Sequence, residues 1–260
     1  MKSIILTTLV ALFSFACQEA ENISQEEPSP FHDGINWQGD NEIANYLAMQ
    51  GIWHYMNVER EKAYVLFEKA VQLDSSLFAS HTALALLSEG EKKDYHKKMA
   101  NKFVVDENET SQLFVSLLDI DNDSTAREKR GPIWAKMHEL SNGPFIHFQY
   151  AITRSDTLEI IPELDKLESF LVEIEFNTAH IHNNKGYVLQ SLGELDQGTT
   201  EIEKYMELYP EGYNPLDSRA EFYLFAGDTV KAIEYYEKTF EKFPYATSAR
   251  NALNNLSNDD

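Results

Sequence analysis

Few residues are placed to do chemistry. Asp119, Asp121 and Asp123 alternate with Ile120 and Asn122, as at the start of an EF-hand calcium loop. Such a loop needs glycine at its sixth position and a bidentate glutamate at its twelfth. Those positions hold Ser124 and Arg130, and a guanidinium there repels a cation, so the run reads as a solvated acidic loop. His180 and His182 are two residues apart, which on a helix turns them to different sides. A helical metal pair needs a spacing of three or four, and H-E-x-x-H is absent. Also missing are G-x-S-x-G, G-x-x-x-x-G-K-[ST] and G-x-G-x-x-G, the turns that present a nucleophile or cradle phosphates. Carboxylates are plentiful, but no spacing singles out the facing pair of a glycosidase. The single cysteine, Cys17, excludes an intramolecular disulfide and a cysteine-based zinc site. The chain therefore reads as a non-enzyme with no metal and no cofactor.

The elements that would position any site come next. The 260 residues include 22 Lys+Arg against 43 Asp+Glu, a net charge of −21, with 43% hydrophobic and 12% aromatic residues. That length can bury a sizeable core, and the apolar content excludes a mostly disordered chain. The acid excess opposes general nucleic-acid binding, which needs a basic surface to release counterions. It equally opposes adhesion to an anionic membrane by charge alone.

Met1-Lys2 is a short positive start, and Ile4 to Phe15 is apolar except for Thr7, Thr8 and Ser14. A spanning helix needs about 20 apolar residues, so this run suits the core of a secretion signal. No other stretch reaches spanning length. The run ends Ser14-Phe15-Ala16-Cys17, which resembles a bacterial lipobox with Ser14 in place of the usual Leu or Val. The resemblance implies a signal peptide over 1–16 and a lipidated Cys17; the alternative is an ordinary signal peptide with an incidental cysteine. Residues 17–42, with Glu19, Glu21, Glu26-Glu27 and Pro28 and Pro30, read as an acidic flexible tether. Acidic residues after the cysteine resemble the surface-export signals of Bacteroidota lipoproteins, and a plain solvated spacer fits the same composition. Gln18 stands where many lipoproteins carry an inner-membrane-retention aspartate. By that analogy the outer membrane is favoured, with periplasmic or surface orientation open.

Beyond residue 42 the chain repeats. Pro210 and Pro244 are 34 residues apart, and so are Gly198 and Ala232, and Gly193 and Gly227. A further copy begins at Ala44, with Gly51, His54, Ala63, Phe67 and Ala70 in register and Ser75 at the proline position. A period of this length marks a repeat architecture. The glycines at 193 and 227 suit tight turns, and Asp196 and Asp228 offer side-chain acceptors of the kind found at helix starts. The pattern of small residues, aromatics and closing proline resembles the tetratricopeptide repeat. That resemblance implies an all-α solenoid over 43–256 with about six helix pairs. The clearest copies are 44–77, 179–212 and 213–246, the copies between them are degenerate, a capping helix spans Ala246–Leu256, and 257–260 are a tail. Pro132 reads as the first residue of a helix.

The same resemblance places side chains in a concave groove: Asn45, Ala48, Ile52 and Tyr55 in the first copy, His180, Asn183, Tyr187 and Gln190 in the fifth, and Asn214, Asp217, Glu221 and Leu224 in the sixth. It implies a protein or peptide partner bound there. Asp217 and Glu221 stand where the carboxylate-clamp subtype needs cations, so the implied partner is neutral or basic. The leading reading is an envelope-anchored interaction scaffold, attached to the membrane through its lipid only. The alternative is a glycan- or nutrient-capture lipoprotein using Trp37, Trp53 and Trp134 for stacking. Trp53 and Trp134 have the neighbours of core residues.

Overall fold

The computed structural model describes residues 34–257; the expected signal peptide, Cys17 and most of the expected tether lie outside the described residues. The described chain is all helical, six helix pairs and a final helix. The pairs are α1 (Glu42–Met56) with α2 (Arg60–Leu73), α3 (Phe78–Leu86) with α4 (Gly90–Phe103), and α5 (Glu109–Ser116) with α6 (Ala126–Leu140). Then follow α7 (Pro144–Ile152) with α8 (Ile160–Glu173), α9 (Ala179–Ser191) with α10 (Leu195–Leu208), and α11 (Asn214–Phe225) with α12 (Thr229–Lys242). Helix α13 (Thr247–Leu256) closes the stack. Helix starts use side-chain acceptors for orphan amides: Asn41 accepts from the Ala44 N–H, Asn108 from Ser111, and Asp228 from Lys231. The degenerate third and fourth copies form helix pairs like the rest.

The repeated small residues let paired helices cross closely. A Cβ on Gly51 would lie 2.7 Å from the Phe67 ring, and one on Gly198 would lie 2.7 Å from the Gly186 carbonyl oxygen. Gly193 and Gly227 take φ of +86° and +79° in the turns inside the fifth and sixth pairs, a region that costs other residues strain.

Pro132 does not begin a helix. It lies within α6, where it removes one intrahelical bond at a cost of about 3 kcal/mol. The turns ahead of it are pinned by other bonds. Asp123 accepts from the Thr125 N–H and hydroxyl, Arg127 donates to the Arg154 carbonyl, and Arg130 to the Ile120 carbonyl. These hold α6 helical back through the proline.

The coil turns tightly enough that its first helix meets its later ones. Tyr55 of α1 packs on Phe145 of α7, and Trp53 packs on His180 of α9, which also meets Phe148. The inner faces merge into one core containing Ile52, Phe67, Phe114, Trp134, Phe145 and Ile181. The flexible-tether expectation fails over residues 34–41. Ile35 and Trp37 are buried while Gly34, Asn36 and Gln38 are exposed, the two-residue alternation of an extended segment with one face inward. Trp37 fills the space between the rings of Phe67, Phe114 and Phe145, with centroids 6.2, 5.4 and 5.6 Å away. Trp134 is core, and Trp53 is half-buried against Phe176, His180 and Tyr209.

Gly198→Ala separates packing from propensity. Alanine is worth about 1 kcal/mol more than glycine in a helix interior, yet the Gly186 backbone blocks its methyl group. We expect urea unfolding to show a net loss of about 1–2 kcal/mol.

Candidate functional site at the closure of the coil

The first pair is joined to the last two through one carboxylate. Glu59, in the turn before α2, has no solvent exposure. Its Oε1 accepts from the backbone N–H of Tyr213 (2.6 Å) and of Asn214 (3.4 Å), at the start of α11. Its Oε2 accepts from Lys62 Nζ (2.8 Å) and the Tyr209 hydroxyl (2.8 Å) and pairs with His54 Nδ1 (2.7 Å). A helix start leaves amides without intrahelical partners and carries partial positive charge, so Glu59 caps α11 from across the coil. Burial alone would raise its pKa; the hydrogen bonds from His54, Lys62 and Tyr209 and the Lys62 charge outweigh that and hold it at about 2.

Neighbouring contacts extend the clasp. The Tyr205 hydroxyl lies 2.9 Å from the Asn57 carbonyl oxygen, and Tyr213 donates to Glu61 at 2.5 Å. Glu61 also accepts from the Thr247 N–H at 3.0 Å, at the first residue of α13. Lys62 Nζ sits 5.1 and 5.5 Å from the centroids of Tyr213 and Phe243, which stack on each other at 4.6 Å.

Closure changes the setting of the expected groove residues. Ile52, His180, Asn183, Asn214 and Asp217 are buried rather than presented on an open face: Trp53 of the first pair lies against His180, and Glu59 holds the start of α11 at Asn214. Ala48 is buried too, while Asn45, Tyr55, Tyr187, Gln190, Glu221 and Leu224 are half-buried. His180 is enclosed by Phe148 and Trp53 with neither ring nitrogen hydrogen-bonded, and burial, then His182, hold its pKa at about 3. Ser218 donates to Asn183 at 3.0 Å, and the Tyr187 hydroxyl donates to Glu221. These residues form a polar seam between α9 and α11. Asp217 lies in it with Oδ1 unpaired. Its pKa rises to about 7, through burial first and then the charges of Glu221 and Glu61, against a hydrogen bond from Ser248. Asn45 uses both ends of its amide on Gly39, accepting from its N–H at 2.8 Å and donating to its carbonyl at 3.0 Å.

Where the two ends of the coil approach, a groove of about 950 Å³ stays open. Val65 of α2, Leu86 and Leu87 at the end of α3, and Phe243 and Tyr245 after α12 line it, with Arg60, Lys62, Glu61 and Glu89 at its sides. None of these residues is among the sequence candidates, because the groove exists only once residues far apart in the chain meet. Three further sequence candidates are engaged elsewhere. Asp119 pairs with Lys97 at 2.9 Å, Asp123 caps Thr125, and His182 bridges Glu201 (2.6 Å) and Glu168 (3.3 Å). Among the described residues no group of three or more His, Cys, Asp or Glu side chains is arranged to hold a metal. None of the described helices is long and apolar enough to cross a membrane.

No protein-family model matches the chain, and no curated protein sequence matches it either. Solved structures with similar helical arrangements do exist. One is the APC/C hetero-tetramer Cut9-Hcn1, at 14% identity and a TM-score of 0.48 over 92% of this chain; the chain spans 45% of that one. Another is PilW, a type IV pilus biogenesis factor, at 12% identity and a TM-score of 0.44, covering 82% of this chain and 99% of that one. A third is YrrB, a TPR protein with an unusual peptide-binding site, at 17% identity and a TM-score of 0.32, covering 81% and 91%. These are distant likenesses; the fold assignment stands on the helix pairs themselves.

Two buried acids give opposite pH signatures. Glu59 is held at about 2 against an ordinary 4.5. Its contribution, about 3 kcal/mol, is complete above pH 4.5 and lost as pH falls toward 2; Glu59→Gln should remove that acid-side slope in urea titrations. Asp217 is raised to about 7 from 3.8, so it favours the folded state below 3.8 and loses that advantage as pH rises to 7. Asp217→Asn should therefore raise the unfolding free energy at pH 8, by up to about 4 kcal/mol, and leave it nearly unchanged at pH 4.

Proposed function

We propose that this chain is a non-enzymatic protein–protein interaction scaffold, held to the bacterial cell envelope by lipid on Cys17. The observation that carries the reading is the open groove at the closure. The clasp fixes both walls of that groove, so a partner meets a preformed surface and little ordering cost is incurred on binding. Apolar Val65, Leu87 and Tyr245 beside charged Arg60 and Glu89 suit a protein segment, with an apolar centre and a polar rim. The net charge of −21 steers basic partners toward the chain, leaves neutral ones unopposed and repels nucleic acid.

The lipobox-like residues before Cys17 support a lipid anchor, and Gln18 supports the outer membrane. Facing the periplasm and facing the outside are both compatible with this sequence. Glycan capture is the weaker reading, because it needs exposed indole faces. Trp37 and Trp134 are buried, and Trp53 is packed among three other rings.

In-cell crosslinking followed by mass spectrometry of the envelope fraction tests this reading. We expect one reproducible protein partner with the wild-type chain. It should be lost when Val65→Asp and Tyr245→Ala are combined, with far-UV circular dichroism unchanged, and Cys17→Ser should move the chain into the soluble fraction. No protein partner, or a Cys17→Ser chain that stays membrane-bound, overturns the corresponding half of the proposal.

A further inference from the structure

The chain just ahead of α1 is seated on the stack in the manner of a bound peptide. Ile35 and Trp37 point inward and their neighbours outward. Asn36 donates its N–H to Ser111 Oγ (3.0 Å), Gly39 to Asn45 Oδ1 (2.8 Å) and Asp40 to Asp74 Oδ2 (3.1 Å), while the Gln38 N–H returns to Asn36 Oδ1 (3.1 Å). Each of these four amides is satisfied by a side chain. Asn45, with its two bonds to Gly39, reads a peptide unit through its donor and its acceptor together. That contact is to a peptide unit, but a Cβ at this position would collide with Asp74 Oδ2 and lie 3.0 Å from Leu77 Cδ2, so the seat takes glycine here. Further selectivity comes from the pocket for the indole, between Phe67, Phe114 and Phe145. Trp37 Nε1 is buried there without a hydrogen-bond partner, which weakens the hold of this strap on its own seat.

We infer that residues 34–40 are a displaceable internal ligand, and that their seat on α1, α2 and α5 is a second binding site. Its ligand is an extended protein segment with an aliphatic residue, an aromatic residue two positions on and a glycine two positions further. The strap competes at the high effective concentration of a tethered ligand, so a partner segment binds in proportion to the fraction of chains whose strap is open. The site is separate from the groove beside Val65 and Tyr245, and it stands or falls independently of the anchored-scaffold reading.

Two measurements on the full chain test it. In hydrogen exchange of the wild-type chain, the amides of Asn36, Gly39 and Asp40 should exchange at least 100-fold faster than the interior amides of α1, through local opening. Exchange of strap and helix at the same rate makes the strap a fixed part of the core and overturns the inference. In the second, Ile35→Ala and Trp37→Ala are combined to free the seat, with far-UV circular dichroism as the folding control. A blocked synthetic peptide of residues 33–41 is then added and binding followed by fluorescence anisotropy. We expect saturable binding at least tenfold tighter than to wild type, lost when the peptide's tryptophan is replaced by alanine and weakened at least tenfold by Asn45→Ala. A folded variant that does not bind the peptide overturns the site. If the variant does not fold, hydrogen exchange on the wild-type chain decides.

Discussion

A single buried carboxylate sets the form of this molecule. Glu59 brings a full negative charge into a site with no solvent exposure, which is unfavourable unless the charge is fully hydrogen-bonded. The partners that satisfy it come from both ends of the coil, with His54 and Lys62 nearby in sequence and Tyr209, Tyr213 and Asn214 from the fifth and sixth pairs. Opening the coil would strand the carboxylate from three of those partners and uncap α11. A helical stack of this kind otherwise relies on nearest-neighbour contacts and is free to bend. Here a contact between residues 154 positions apart ties its ends.

The other features follow from that closure. Once the first pair lies against the fifth and sixth, the inner faces of α1, α7 and α9 have only one another to pack against, and the concave side becomes core. His180 loses access to water and stays neutral between aromatic rings. The polar residues of α9 and α11 become an interior seam, in which burial raises the pKa of Asp217 to about 7. The accessible space moves outward, to the groove left where the two ends meet.

The helix pairs were legible in the sequence because they depend on local chemistry: small residues at crossings, glycines where φ must be positive, and acceptors at helix starts. The third and fourth pairs, which have no positive-φ glycine in their turns, were legible only by counting from their neighbours. Closure left no local signal. Glu59 looks like any other glutamate of an acidic chain, and its partners belong to a different repeat. The groove of Val65, Phe243 and Tyr245 was invisible for the same reason, and nothing local at Asn45 shows that the chain's own Gly39 occupies its amide. Trp37 was misjudged although Ile35 and Trp37 alternate with polar neighbours. An acidic, proline-containing leader outweighed a two-residue pattern too short to stand alone. Pro132 shows the converse, a strong local preference overridden by the bonds of Asp123, Arg127 and Arg130.

The most direct test of closure is a double-mutant cycle between Glu59→Gln and Tyr209→Phe, read by urea unfolding at pH 7. Glu59 and Tyr209 are 150 positions apart in the chain, and their side chains touch only if the coil is closed. Contacting residues couple by about 0.5–3 kcal/mol, and the account requires a coupling energy in that range. Strict additivity of the two substitutions would mean the ends are not clasped in solution, and would contradict it.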